Sequence, residues 1–253
     1  MTSIVDDRGF NQGYSWTPAQ ALRMRRRAKA IVDAVRPGPG GRLLELGCGT
    51  GELASLLAEE GPAGVTGVDL CAPFIDEARR RFGNDRVSFE VADLAQPAEI
   101  ERLGSTWSAV VGNGILHHLY YVIDEALPLL RRLVAPGGKF VFWEPNYFNP
   151  YIMAIFTVPA LRKVTRLEPA EMAFTPRWIR ARLERAGFTD VQVTFRDFLL
   201  PNLPPVLVPL VTRAGDLAER LPLVDHLAQS LFIVASVPAD ATGEPRPRAG
   251  AGR

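Results

Sequence analysis

The feature that most limits the fold is an alternation of two periodicities. Beyond the helix-breaking run Pro37-Gly38-Pro39-Gly40-Gly41, short β-rich stretches take turns with helical patterns. Arg42–Leu46, Val65–Val68, Val87–Val91, Ser108–Val111 and Lys139–Trp143 read as strands. Glu52–Glu60, Pro73–Phe82, Ala98–Leu103 and Tyr121–Val134 read as helices set between them. Such alternation builds βαβ units, whose crossovers make the sheet parallel and cover both of its faces. The fold class is therefore α/β. Thr175-Pro176 opens another helix as N-cap and first-turn proline, and Gly187 stops it. Val191–Phe195 and Leu231–Ala235 supply two further strands.

Ahead of the break, Ala21, Met24, Ala28, Ile31, Val32 and Val35 fall at helical spacing, which predicts one amphipathic helix. Arg23, Arg26, Arg27 and Lys29 then lie on a solvated face. The organisation expected is a helical cap over 1–41 and a core domain over 42–237, carrying lid insertions at 146–174 and 196–230. The tail 238–253 has no large aliphatic or aromatic residue and is expected to be disordered.

Composition narrows the partners. Lys and Arg total 29 and Asp and Glu 28, a net +1 that offers no electrostatic basis for gripping a nucleic-acid backbone. Cys48 and Cys71 make neither a disulfide framework nor a Cys-rich zinc site. Met1–Phe10 carries Asp6, Asp7 and Arg8 and has no apolar core of a secretory signal. The greasiest stretch, Tyr151–Leu161, is broken by Pro159 and falls short of the roughly 20 residues a spanning helix needs. A cytoplasmic protein without stable membrane insertion is expected.

The segment Leu43-Leu44-Glu45-Leu46-Gly47-Cys48-Gly49-Thr50-Gly51-Glu52-Leu53 runs a buried strand into glycines and straight into a helix. Glycines there let the backbone turn sharply and approach a nucleotide-type ligand. The dinucleotide spacing G-x-G-x-x-G would aim the helix at a pyrophosphate, but here Glu52 stands where the third glycine belongs. With Glu45 just before the loop, the local charge favours a cationic or zwitterionic ligand. Asp69 ends the second strand, where a carboxylate accepts from both ribose hydroxyls. Asp93 closes the third, where it can accept from an adenine amine.

Taken together, these residues resemble a class I S-adenosylmethionine-dependent methyltransferase of the small-molecule type. Leu43–Leu53 is similar to that family's glycine motif, Gly67–Leu70 to its ribose motif and Val91–Leu94 to its adenine motif. Val110–Leu119 is similar to the motif after strand 4, and Leu133–Lys139 to the turn before strand 5. The likeness covers about Arg42 to Phe195 and the last strand. It implies a Rossmann-like sheet of seven strands, mostly parallel, with helices on both faces and the last strand antiparallel. It also implies S-adenosyl-L-methionine as cofactor, held by Glu45, Gly47, Cys48, Gly49, Gly51, Asp69, Leu70, Asp93, Leu94, Asn113 and Gly114.

Methyl transfer from a sulfonium is an in-line displacement, so the protein mainly aligns, excludes water and removes a proton where the acceptor needs it. The candidate bases are His117 and His118 after strand 4 and Glu144 after strand 5. His118 can equally hold its loop or pack on the cofactor, and Glu144 can orient substrate or cap the turn that follows it. Tyr14, Trp16, Tyr147 and Tyr151 are expected to wall a small, apolar or aromatic acceptor such as a natural product, quinone, lipid or sugar derivative. Oxygen stands slightly ahead of nitrogen and carbon as the atom methylated, on family frequency. No metal site can be assembled from the sequence. The apolar lid can also join two copies into a homodimer. A non-catalytic scaffold and an NAD-dependent oxidoreductase remain as alternatives.

Overall fold

A computed structural model of the chain describes residues 4–6, 8–10 and 16–239. Tyr14, and the expected disordered tail from residue 240 onward, lie outside the described residues. Seven strands form one sheet: β1 (Arg42–Leu46), β2 (Gly64–Asp69), β3 (Val87–Val91), β4 (Trp107–Asn113), β5 (Val134–Pro145), β6 (Thr189–Arg196) and β7 (Ser230–Ser236). Their spatial order is β3-β2-β1-β4-β5-β7-β6. Strands β1 to β5 pair in parallel, and β7 runs antiparallel to both neighbours, as expected for the last strand. From β1 the chain steps outward through β2 and β3, then returns to the other side of β1 for β4. The order reverses between β1 and β4, and a crevice opens there at the carboxyl ends of the strands.

Helices α1 (Pro18–Val35), α2 (Glu52–Glu60) and α3 (Ala72–Phe82) cover one face. Met24, Ile31, Leu53, Leu57 and Ile75 pack there on Leu43, Val65 and Val111. On the other face lie α4 (Pro97–Arg102), α5 (Ile123–Leu133) and, further along the chain, α8 (Pro176–Arg185). Their Ile100, Leu127, Leu130, Ile179 and Leu183 meet Leu44, Leu46, Phe140 and Phe142. Each fully buried aliphatic side chain contributes about 1.5–3 kcal/mol, so these two layers fix the sheet before any site is built. Between β5 and α8 come α6 (Pro150–Thr157) and α7 (Pro159–Thr165), and α9 (Val208–Ala218) lies between β6 and β7. Among the described residues no helix is long and apolar enough to cross a membrane.

The boundaries differ from the sequence expectation in three places. The helix expected over Tyr121–Val134 is a 3-10 turn over Leu116–Val122 followed by α5. The strand expected over Lys139–Trp143 begins at Val134, because Pro136-Gly137-Gly138 forms a bulge inside it and not a turn before it. Thr175 is the N-cap of α8 but makes no side-chain cap bond, whereas the Thr17 hydroxyl accepts from Gln20 N and starts α1 earlier than its apolar periodicity does.

The basic face of α1 also needs correction. Arg27 is only 8 % exposed. Its guanidinium donates to Asp197 Oδ2 at 2.6 Å and Ser230 Oγ at 2.5 Å, and it lies over the Trp143 ring, 5.0 Å from the centroid. Arg23 Nε donates to the same Asp197 oxygen at 2.5 Å. Burial pushes the Asp197 carboxyl up, but Arg27 and Arg23 overcome it and hold it below its ordinary value. No local periodicity reveals a partner this far along the chain. The exposed pairs Arg25–Glu59 and Lys29–Asp33 are of the kind worth little. Asp197→Ala leaves two arginines uncompensated and is expected to destabilise by about 3–5 kcal/mol. Lys29→Ala should leave the urea midpoint essentially unchanged, and urea denaturation of both variants measures the contrast.

Candidate active site

The loop after β1 is shaped by what its glycines meet. A Cβ on Gly47 would fall 2.6 Å from Ile115 Cδ1, and one on Gly51 2.7 Å from Phe89 Cζ, so both positions are closed by packing within the protein. Gly49, at φ +53, has no atom within 4 Å of that position and faces open space. It is the cradle of the loop. Asp69, at the end of β2, accepts from Gly49 N and Cys71 N at 2.9 Å each, which fixes the loop against the neighbouring strand. Cys48 is buried against Gly67. Leu70 is exposed, Leu94 is buried, and the half-buried Asp93 accepts from Ala95 N at 2.9 Å.

Beneath the loop Glu45 is 2 % exposed, and its Oε2 has no hydrogen-bond partner. Burial, with the charges of Glu52 and Asp69 added, pushes its carboxyl well above the ordinary range. Burial raises Asp69 too. An orphaned acceptor and two strained carboxylates beside an open glycine suit a ligand that brings hydrogen-bond donors and positive charge, as an adenosyl sulfonium does. Glu52 is the exception. It takes the Thr50 hydroxyl at 2.5 Å and Trp16 Nε1 at 3.3 Å, and is paired with Arg81, so it carries its own counter-ion.

At the carboxyl ends of β4 and β5 a second constellation forms. Glu144 is 1 % exposed. Its Oε1 accepts from Ile115 N at 3.1 Å and Leu116 N at 2.8 Å, and its Oε2 from His117 N at 3.2 Å. The carboxylate thus caps the 3-10 turn after β4, and not the turn after its own strand. Oε2 also meets His117 Nδ1 at 2.9 Å. A carboxylate saturated by backbone donors takes its bond from an Nδ1–H, which leaves Nε2 of the neutral ring as the basic nitrogen.

His118 shares Glu171 with His117, whose Nε2 lies 3.7 Å from Glu171 Oε2. The His118 Nδ1 lies 3.2 Å from Glu171 Oε1 and 3.6 Å from Glu168 Oε1. Arg8 in turn donates to Glu168 Oε1 at 2.5 Å. Burial draws the His118 pKa down, but hydrogen bonding to Glu168 and the fields of Glu171 and Glu168 outweigh it and hold it above the ordinary value. The carboxylates around His118 thus favour its protonated form. His117, His118 and Glu171 each offer an atom within 4.8 Å of the others, close enough to share a cation. The sequence expectation of no metal overlooked this set because Glu168 and Glu171 lie far along the chain from the histidines. Their spacing of three residues, in a stretch otherwise free of acids, was the available signal.

Both histidines open on a cavity of about 300 Å³, walled by Met24, Trp143, Ile152, Phe156 and Leu167. Two more polar atoms on residues of this wall, Gln20 Oε1 and Trp143 Nε1, are buried without partners. Gly114 and Asn113 reach the same wall, and the Asn113 side-chain oxygen accepts from Arg27. Of the residues expected as the acceptor wall, the three that are described do not line it: Trp16 is tied to Glu52, Tyr151 is exposed, and Tyr147 hydrogen-bonds through its backbone to Phe174. On α6 it is Ile152 and Phe156, one turn apart, that face inward. A larger hollow of about 600 Å³ at β6 is lined by charged residues such as Arg196 and Asp225 and includes neither the glycine loop nor the histidines.

The histidine cluster predicts a pH dependence of stability. A raised folded-state pKa at His118 contributes stability that is complete below about pH 6.5 and lost as pH rises through the folded value. Glu168, lowered by its bond to His118, contributes stability present above about pH 4.5 and lost as pH falls. The melting-temperature gap between the parent and His118→Gln should be widest near pH 5.5 and shrink by pH 9. A gap that grows with pH contradicts this assignment.

A family model described as a methyltransferase domain matches residues 21–193. The chain is 27% identical over 206 residues to a highly reducing polyketide synthase, cm3B, of Cordyceps militaris, covering 74% of this chain but only 8% of that one. It is 28% identical over 207 residues to the ubiquinone/menaquinone biosynthesis C-methyltransferase UbiE of Desulfotalea psychrophila, covering 74% and 79%. Its fold is similar to that of the CurJ carbon methyltransferase, with TM-score 0.62 at 20% identity, over 89% of this chain and 56% of that one. With its sheet order, its open glycine and its acidic strand ends, the chain belongs to the class I S-adenosylmethionine-dependent methyltransferases.

Proposed function

We propose that this chain transfers a methyl group to an acidic carbon of a small, largely apolar acceptor, with His117 as the base. The observation that carries the reading is the His117–Glu144 pair, 2.9 Å apart and buried at the back of the cavity. Bound S-adenosylmethionine supplies an electrophilic methyl beside a positive sulfonium. Glu45, Gly49, Asp69 and Asp93 are the residues we assign to hold it, with Leu70 and Leu94 at the base and Gly47 and Cys48 shaping the loop. His117 Nε2 takes the acceptor's proton, and Glu144 steadies the imidazolium that results. Glu144 is then a positioning residue and not the base itself.

Carbon is favoured over oxygen, reversing the order expected from family frequency. An oxygen acid exchanges its proton with water readily, whereas a carbon acid gives it up slowly and gains most from a fixed base. The relatives named as carbon and C-methyltransferases support the same choice. Apolar walls with a few unpartnered polar atoms, Gln20 Oε1 and Trp143 Nε1, suit a ring or chain bearing one or two carbonyls.

Labelled S-adenosylmethionine offered with a panel of β-dicarbonyl, quinol and phenol acceptors tests the acceptor class directly. His117→Ala should lower kcat by about 10²–10⁴-fold with cofactor affinity kept within about threefold. Glu144→Gln should cost about 10–100-fold in kcat with cofactor affinity kept, because the His117 ring loses the carboxylate that orients it. Asp69→Ala should weaken S-adenosylhomocysteine binding at least about tenfold, roughly 1.4 kcal/mol, by calorimetry. Full turnover in His117→Ala would overturn the reading.

A further inference from the structure

Large hydrophobic side chains are exposed in an uneven way. Of twenty among the described residues, six fall between Phe148 and Val164 and nine between Leu200 and Leu227. Helix α7 buries none of its residues, α6 buries Phe156, and α9 buries Val208 and Gly215. Val164 is 79% exposed, and Val206, Leu210 and Leu223 are comparably open. Apart from Phe156 and a small cluster of Val208, Leu203 and Val211 against Ala19 and Leu199, these segments bury little.

They also share one end of the molecule. Helices α6 and α7 follow β5, and the second segment follows β6. Because β5 and β6 both run antiparallel to β7, the two strands point the same way. Asn149 Nδ2 donates to Leu227 O at 2.5 Å and Asn146 Nδ2 to Ala228 O at 2.7 Å, fastening the bases of the two segments together. The apolar surface therefore borders the mouth of the cavity, into which α6 also sends Ile152 and Phe156.

Charge selects the occupant. Residues 146–167 contain Arg162, Lys163 and Arg166 and no acidic residue. Lys163 and Arg166 are exposed. In the second segment Arg213 and Arg220 are exposed, while each of the three carboxylates has a partner within the protein: Asp216 pairs with Arg26 on α1, Glu219 accepts from Asp197 N at 2.7 Å, and Asp225 accepts from His226 N at 3.0 Å. Lys163, Arg166, Arg213 and Arg220 are exposed beside the hydrocarbon, while the three acids are only half-buried and paired within the protein. We propose that α6, α7 and α9 form a docking surface for an anionic lipid bilayer, lying in its headgroup plane without spanning it. Hydrocarbon side chains enter the interface, and the basic residues meet lipid phosphates. A two-fold homodimer through the same face would press the exposed Lys163 and Arg166 of both copies into one interface, a like-charge juxtaposition that is unfavourable. The docking does not depend on which atom the enzyme methylates.

The test is co-sedimentation of the full chain with vesicles of phosphatidylcholine alone and of phosphatidylcholine with phosphatidylglycerol. Binding to the anionic vesicles at low salt is expected, weakening as salt is added. Val164→Asp with Leu210→Asp should lower the partition at least about tenfold, and Lys163→Glu with Arg166→Glu about as much. Both double variants should keep the parent's affinity for S-adenosylhomocysteine, which separates lost docking from lost folding. No sedimentation with either vesicle overturns the proposal. So does a dimer in sedimentation velocity that Val164→Asp dissociates while vesicles bind nothing, since a second copy is then the occupant.

Discussion

One buried carboxylate organises the reactive end of this molecule. Glu144 sits at the carboxyl end of β5 with almost no solvent, and such a group is costly unless its lone pairs are met. Three backbone N–H groups of the turn after β4 and the His117 ring meet them. The same bonds that repay the burial hold two neighbouring strand ends at one spacing, start the 3-10 turn, and set the His117 ring. Support for the fold and the setting of the His117 ring are thus a single set of contacts. An apolar residue at 144 would leave those N–H groups unpaired and the ring unaligned together.

Around that anchor the two halves of the crevice have opposite electrostatic needs. On the β1–β2 side Glu45 and Asp69 are held in surroundings that disfavour their ionised form, a deficit that a positive ligand relieves. On the β4–β5 side His118 is surrounded by carboxylates that favour its proton, while His117 lies between Glu144 at Nδ1 and Glu171, 3.7 Å from Nε2, at the cavity wall. A positive donor on one side and a proton acceptor on the other is the division that methylation of an acidic group requires.

How much of this the sequence discloses depends on whether the physics is local. Strands, helices and the parallel order can be read because side-chain periodicity and glycine placement act over a few residues, as at Leu43–Leu53. The bulge at Pro136–Gly138 is misread as a turn because the same residues serve both, and only pairing with Trp107 and Ala109 tells them apart. Arg27 looks like a solvated cation until Asp197 and Ser230 arrive from the far end of the sheet. Glu144 can be placed at a strand end from sequence, but that it reaches across to the neighbouring strand's turn depends on β4 and β5 being adjacent. The wall of the cavity was the least legible part: Tyr147 and Tyr151 have the right character, yet the turn of α6 presents Ile152 and Phe156 instead.

The central claim is that Glu144 holds His117 in the tautomer with its proton on Nδ1, leaving Nε2 as the base. Long-range ¹H–¹⁵N correlation of the imidazole rings in uniformly labelled protein, at about pH 9 where an ordinary histidine is neutral, reads this directly. The account predicts a pyrrole-like Nδ1 and a pyridine-like Nε2 for His117, a pattern that Glu144→Gln perturbs. A His117 ring protonated on Nε2 in the parent protein would contradict it.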